Sequence, residues 1–291
     1  LLMKDMGVQT LQFGVVVSSY ALAAGISGFL TAGFADRFDR KKLLLFFYSG
    51  FIIGTLFCGL AHSYEQLVLA RIFTGIFGGV MSSISMAIVA DLFSLAQRGR
   101  VMGMMQMGFG LSQILGIPIA LFIAARSDWQ MPFFMIVALS IIMLFAIIFS
   151  LPSISNHLNE KVNHSALKHL FKTVQNRNYR IGFLATAFMS LGGYLMMPWG
   201  SAFAINNVGI SQAELPLLFM LVGISTFMIM PLIGMLADKI NKFQLFMGAS
   251  LIMTIAVLIY VRLEQSGFLL LTIVNMLMMS GTGAFSAGNS S

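Results

Sequence analysis

An all-α fold that crosses a membrane many times is predicted by three observations. Nine apolar segments follow one another along the chain. The composition is 58% apolar and only 9% charged over 291 residues, against about 25% charged in an ordinary soluble domain. The Lys and Arg residues between the segments also alternate in number from loop to loop. Spanning strands outside a closed barrel are excluded, because backbone in contact with lipid must satisfy its hydrogen bonds within the segment.

A span needs about 20 apolar residues to cross a ~30 Å hydrocarbon core. Segments of that kind lie at 12–35, 43–61, 66–90, 101–125, 131–151, 181–204, 213–237, 243–261 and 266–287. From the turn at 36–42 onward, successive loops hold 4, 0, 2, 1, 5, 0, 2 and 1 Lys or Arg. Cation-rich loops face the cytoplasm, which orients every other loop inward. The net charge of +7 needs no nucleic-acid partner, since thirteen of the seventeen Lys and Arg sit in four such loops, where topology and anionic lipid account for them.

The first ten residues, LLMKDMGVQT, lack the basic and apolar regions of a signal peptide. They read as the tail of an earlier loop, and SAGNSS at the other end directly follows a span, so a fragment is expected. Cys58 is the one cysteine; it excludes an intrachain disulfide and lies mid-span, where packing is the expected role. Residues 152–180 form the long polar stretch, opened by Pro152 and carrying Lys161, Lys168, Lys172, Arg177 and Arg180. Leu167, Leu170, Phe171 and Val174 recur there at helical spacing, with Lys168 and Lys172 on another face. This is either an amphipathic helix on the cytoplasmic membrane surface or a solvated linker helix. His157, His164 and His169 lack the i,i+4 spacing of a metal pair, and no metal site is expected.

An internal repeat is present. AGFADRFDRKK (32–42) follows the first span and GMLADKINK (234–242) follows the seventh; Asp36 and Asp238 are 202 positions apart. Parallel repeats of this kind occur in transporters built from two related bundles. Here the sequence resembles the major facilitator superfamily, whose loop between helices 2 and 3 reads Gly-x-Leu-Ala-Asp-Arg-x-Gly-Arg-Arg/Lys. Ala32, Gly33, Phe34, Ala35, Asp36, Arg37, Phe38, Asp39, Arg40 and Lys41 align with it, Ala32 and Asp39 replacing its two glycines. The second copy keeps Gly234, Leu236, Ala237, Asp238 and Lys239, with Asn241 where the second glycine belongs.

The resemblance implies helices 2 to 10 of a twelve-helix, two-bundle fold. The first bundle would take 1–151, a cytoplasmic linker 152–180, and a truncated second bundle 181–291. It implies that Asp36, Arg37, Arg40 and Lys41, with Asp91 at the end of helix 4 and Gly234, Asp238 and Lys239 in the second copy, form a conformational switch. Asp91 stands in ADLFSLAQRGR, similar to the family's Ala-Asp-Leu-Phe-Pro followed by Arg-Gly-Arg, with Ser94 in place of Pro. Physically, a carboxylate at a helix C-terminus opposes the macrodipole, so Asp36 should seek a cation.

Arg71 is the one full charge well inside a predicted span. It is either a functional group or a side chain that snorkels to the outer interface, roughly 9 Å along the helix from Glu65. RIFTGIFGG around it resembles the family's helix-4 pattern Arg-x-x-x-Gly, Gly75 matching, which implies a coupling role. In GFGLSQILGIPIA (108–120), Gly108, Gly110 and Gly116 suit close helix contact and Pro118 should bend the helix. The resemblance to the antiporter Gly-Pro pair is partial, because Ile117 intervenes. Gln113 is a cavity residue or a helix–helix hydrogen-bonding group. Tyr20, Tyr194, Trp199 and Asn275 are further cavity candidates, each open to a packing or interfacial role.

The function implied by the resemblance is secondary active transport by alternating access: proton-coupled efflux of small organic compounds, with uptake of a small metabolite or uniport as the alternative. A non-transporting scaffold or sensor is the third reading. No Asp, Glu or His lies centrally in the spans, which puts a proton carrier on the family's first helix or makes the protein a uniporter. A membrane-embedded enzyme is not expected, since the clustered His, Asp, Glu or Ser/Lys it needs do not occur at membrane depth. The expected partners are a small-molecule substrate, protons and the lipid bilayer, with no cofactor, in a monomer spanning a bacterial inner membrane.

Overall fold

The computed structural model describes residues 5–31, 35–94, 101, 105, 107–108, 110–155, 158, 175, 180, 184, 187–188, 191, 199–237, 242–264 and 267–289. Among them regular structure is entirely helical. In chain order α1 is Thr10–Thr31, followed by a 3-10 turn at Ala35–Arg37. Next come α2 at Arg40–Gly59 and α3 at Tyr64–Leu92. A π turn at Ser112–Gly116 runs into α4, Ile117–Arg126. α5 is Met131–Ser150, and α6 is a short turn at Gly200–Phe203 continued by a π segment at Ala204–Val208. α7 (Leu215–Ala237), α8 (Lys242–Tyr260) and α9 (Gly267–Asn289) complete the order.

Four of these helices, α1, α2, α3 and α5, are long and apolar enough to cross a membrane, and apolar stretches continue at Leu215–Met230, Met247–Tyr260 and Gly267–Gly281. The expected spans at 43–61, 66–90, 131–151, 213–237, 243–261 and 266–287 match helices within a few residues. The first helix stops at Thr31, short of the expected 35, because Ala35 has entered the 3-10 turn. The sixth, expected to end at 204, continues through the π segment and is closed by Gly209, whose φ of +80° suits a residue without Cβ. Most of 181–198 lies outside the described residues, as do the amphipathic stretch and the three histidines of the linker.

Local chemistry sets the helix ends. Ser63 caps α3, accepting from the Gln66 amide at 3.3 Å, while Gln66 Oε1 accepts from His62 N at 2.9 Å. Before α7, Glu214 Oε2 accepts from both the amide (2.8 Å) and the hydroxyl (2.7 Å) of Ser211.

By contacts the chain divides into two units, Leu1–Arg98 with Ile123–Gly193, and Gly99–Phe122 with Tyr194–Ser291. In the first unit α1 and α2 both pack on α3, and α5 packs on α2. In the second, α9 packs on α7 and α8, and the π turn at 112–116 packs on α7. Without a hydrophobic drive between helices in lipid, association rests on close contact of small residues, and both units show it. A Cβ at Gly79 would lie 2.5 Å from Ala24 Cα, and one at Gly75 would lie 2.5 Å from the Tyr20 carbonyl oxygen. In the second unit a Cβ at Gly223 would meet the Ile114 amide nitrogen at 2.8 Å. Large apolar side chains such as Leu11, Leu69 and Phe149 stand exposed at 79%, 66% and 82%, as lipid-facing positions do.

Candidate functional site

Two polar assemblies in the first unit gather residues singled out from the sequence: Asp36, Arg40, Lys41 and Asp91 in one, Tyr20 and Arg71 in the other. The first is an ion cluster at the turn between α1 and α2. Asp39 ends the turn and caps α2, its Oδ1 accepting from the Lys42 amide at 3.0 Å. This places Arg40 in the first helical position, with its side chain 8% exposed. Each of its three guanidinium nitrogens has a separate partner. Nη2 donates to Asp36 Oδ1 at 2.8 Å, Nε to Asp91 Oδ2 at the end of α3 at 3.1 Å, and Nη1 to the Ala35 carbonyl at 3.3 Å. Asp36 thus has the cation that its place after a helix requires. Lys41 Nζ donates to the Ile148 carbonyl in the last turn of α5 at 2.7 Å, satisfying a helix-end acceptor. Arg37 is exposed and takes no part in the two ion pairs.

The sequence reading placed Asp39 only as the replacement of a motif glycine and did not foresee its role. The carboxylate is 8% exposed and accepts from the Ser153 hydroxyl just beyond α5. Burial pushes the Asp39 carboxyl up, but the Ser153 hydroxyl and the amides of Lys42, Lys41 and Ile154 outweigh it and hold the group below its ordinary value of 3.8. A depressed carboxyl stabilises the fold above its unfolded value and loses that contribution as pH falls through the folded value. The α2 cap is therefore expected to hold at neutral pH and to release only below about pH 3.8; amide exchange at Lys42 followed across pH 3–7 checks this.

The second assembly is a cavity of about 230 Å³ lined by Tyr20, Phe51, Thr55, Cys58, Arg71, Thr74, Phe133 and Ile136. The Arg71 guanidinium carbon lies 4.6 Å from the centroid of the Tyr20 ring, in cation–π range. Thr55 and Thr74 each donate to a carbonyl one turn back, Phe51 and Ala70 respectively, at 2.7 Å. Their hydroxyl protons are spent on backbone, so the oxygens are left as acceptors. Cys58 Sγ lies 3.6 Å from Thr74 Oγ1; with the threonine proton committed, the thiol is the donor. Gly78 makes room for Tyr20, since a Cβ there would come within 2.8 Å of the phenol oxygen. Sequence reasoning found Tyr20 and Arg71 but not Thr55, Thr74 or Gly78, whose short side chains carry no signal before α2 and α3 are placed against each other.

The remaining candidates are placed as follows. Gly75 sits in the α1–α3 contact. Gln113 is 3% exposed, with Nε2 4.0 Å from Met279 Sδ on α9. The π turn ends two residues before Pro118, with the Ile117 amide donating to Ser112 O, five residues back. Pro118 has no amide to donate, which leaves the i→i−4 ladder open at that point. Among the described residues a Cβ at Gly108 would meet nothing within 4 Å, and one at Gly116 only Ser112 of its own turn at 3.8 Å; the close contact is made by Gly223. Asn275 Nδ2 donates to Leu271 O within α9 at 2.9 Å. Trp199 stands immediately before α6, partly buried. Gly234 lies within α7. Tyr194, Asp238 and Lys239 lie outside the described residues.

Membrane-length helices, a cation-bearing cavity and a charged inter-helix turn mark a polytopic helical membrane protein. The chain belongs to the Major Facilitator Superfamily, whose family model matches residues 1–291. It is 32% identical over 154 residues to the uncharacterized MFS-type transporter YceJ of Bacillus subtilis, covering 53% of this chain and 39% of the relative. It is also 32% identical over 152 residues to multidrug resistance protein 3 of the same organism, covering 52% and 30%. The chain thus matches well under half the length of these two relatives. Among solved structures, a D-xylose–proton symporter superposes with a TM-score of 0.72 at 18% identity over 95% of this chain and 70% of that one, a likeness of fold.

Proposed function

We propose that the full-length protein is a secondary active transporter that works by alternating access and exports small organic compounds against a proton gradient from a bacterial inner membrane. The observation that carries this reading is Arg71 lying over Tyr20 in the wall of the cavity. A cation at membrane depth is costly and rarely retained without a task. Here it shares the cavity with aromatic rings (Phe51, Phe133), two hydroxyl acceptors and a thiol. Such a wall offers a planar fork of donors to an acceptor or anionic group, acceptors to a donor group, and ring faces to an apolar body. At about 230 Å³ it is smaller than pockets that enclose drug-sized ligands, roughly 300–1,000 Å³. It therefore suits one portion of a substrate. The likeness to a multidrug resistance protein supports export as the direction.

Expressed at full length in an efflux-deficient bacterium, the protein is expected to lower accumulation of fluorescent amphipathic compounds. A protonophore should restore accumulation, and Arg71→Ala should abolish the effect. Unchanged accumulation across a broad panel, with the protein shown to be in the membrane, would favour uptake of a narrow metabolite instead.

A further inference from the structure

The ion cluster is held from a direction that its own motif does not include. After α5 ends at Ser150, residues 151–155 turn back over the start of α2. The Ser153 hydroxyl donates to Asp39 Oδ2, and the Arg40 amide donates to the Ile154 carbonyl at 3.1 Å. The Ile154 side chain, 4% exposed, is buried among Leu43 and Phe47 of α2 and Val80, Ile84 and Ile88 of α3. Lys41 completes the attachment through the Ile148 carbonyl. Three polar contacts of different kinds (hydroxyl to carboxylate, amide to carbonyl, ammonium to helix end) thus fall on three consecutive residues, Asp39, Arg40 and Lys41, and the apolar plug seats the same segment against α2 and α3.

We infer that residues 151–155 are a strap that positions Arg40 between Asp36 and Asp91, with Asp39, Ser153 and Ile154 as positioning residues, so that the polar linker leaves α5 from a point tied to the ion cluster. This rests on reading the cluster as the conformational switch. Arg40 must present three nitrogens to three partners at once. That needs a fixed backbone at the first position of α2, and the strap fixes it through the Arg40 amide and the neighbouring side chain. Pulling the strap away removes the Ile154 acceptor and the Ser153 donor together, which frees the residue whose side chain joins the end of α3 to the turn.

Asp39→Gly separates the strap from the cap, because glycine is itself a good N-cap and costs only a few tenths of a kcal/mol there. The labelling arm uses the full-length protein in membranes with all native cysteines, Cys58 among them, replaced by Ala and a reporter, Ile154→Cys; the transport arm keeps the native cysteines. Maleimide labelling of Ile154→Cys should be slow and should quicken roughly tenfold when Asp39→Gly is added, the factor that loss of one charge-assisted hydrogen bond gives to a local opening. Asp39→Asn, which keeps an acceptor for the Lys42 amide and a polar partner for Ser153, should restore slow labelling. In transport, Asp39→Gly should lower turnover with KM unchanged, since it touches no substrate, and Asp39→Asn should recover most of it. Fast labelling without Asp39→Gly, or no change with it, overturns the strap. Faster labelling with turnover intact overturns its positioning of Arg40. Arg40→Ala run alongside separates the two readings: if that change leaves transport intact, the switch reading has failed, whatever the labelling shows.

Discussion

Gly79→Val is expected to cost more stability than any other single substitution considered for this chain. The added Cβ would stand 2.5 Å from both Ala24 Cα and Ala24 O, far inside contact distance, and the atoms in the way are backbone. No rotamer change relieves that, so α1 must move off α3. Gly75, one turn earlier, would lose its own approach to the Tyr20 carbonyl. Overpacking usually costs about 1–3 kcal/mol; a rigid backbone clash on the main helix pair of the unit belongs above that range, because separation by even ~1 Å forfeits a quarter to a half of each dispersion contact along the seam. The expected result is little or no monodisperse full-length protein in mild detergent. Gly25→Val, on α1 next to Ala24, is the control: a Cβ there meets nothing within 4 Å, and extraction should be unchanged. Equal yields for the two variants would contradict the α1–α3 packing.

Arg40→Lys should remove transport almost as completely as Arg40→Ala, despite keeping the charge. The guanidinium divides Nε, Nη1 and Nη2 among Asp91, Ala35 and Asp36; a single ammonium cannot span them. Of the two ion pairs, the one to Asp36 should matter little for stability, because that side chain is 63% exposed, whereas the one to Asp91, whose side chain is 25% exposed, is the costlier to lose. Exposed pairs contribute roughly 0–1 kcal/mol. Turnover is the sensitive readout, expected to fall by tenfold or more, about 1.4 kcal/mol in a rate-determining equilibrium. Arg37→Ala, which removes an exposed side chain outside these pairs, should retain most activity. The reverse ranking would place the switch on Arg37.

Much of this was legible before any coordinates. Spans follow from hydropathy because lipid leaves the backbone no alternative to the helix, and the ends of α2, α3, α5, α7, α8 and α9 fell within a few residues of expectation. Asp36, Arg40 and Asp91 were singled out through the resemblance of their segments to the family's motifs, and the structure brings the three side chains together. Contacts that depend on which helix faces which were not legible. Gly108 and Gly116 matched a small-residue pattern, yet Gly223, on a different helix, makes the close approach to the π turn. Nothing local distinguishes Thr55 and Thr74 from other mid-span threonines until α2 and α3 set them around one cavity. Asp39 entered only as the replacement of a motif glycine, because its partners, the Lys42 amide and Ser153, are set by where α2 starts and where the chain runs after α5.

The most direct test of the central claim is transport by purified full-length protein in proteoliposomes under an imposed pH gradient, comparing the unmodified protein with Arg71→Ala and Arg71→Lys. The account predicts gradient-driven movement of an amphipathic substrate, lost in Arg71→Ala and only partly kept in Arg71→Lys, whose ammonium preserves charge but not the fork of donors that the guanidinium holds over the Tyr20 ring. Substrate movement that is indifferent to the gradient, or undiminished in Arg71→Ala, would contradict it.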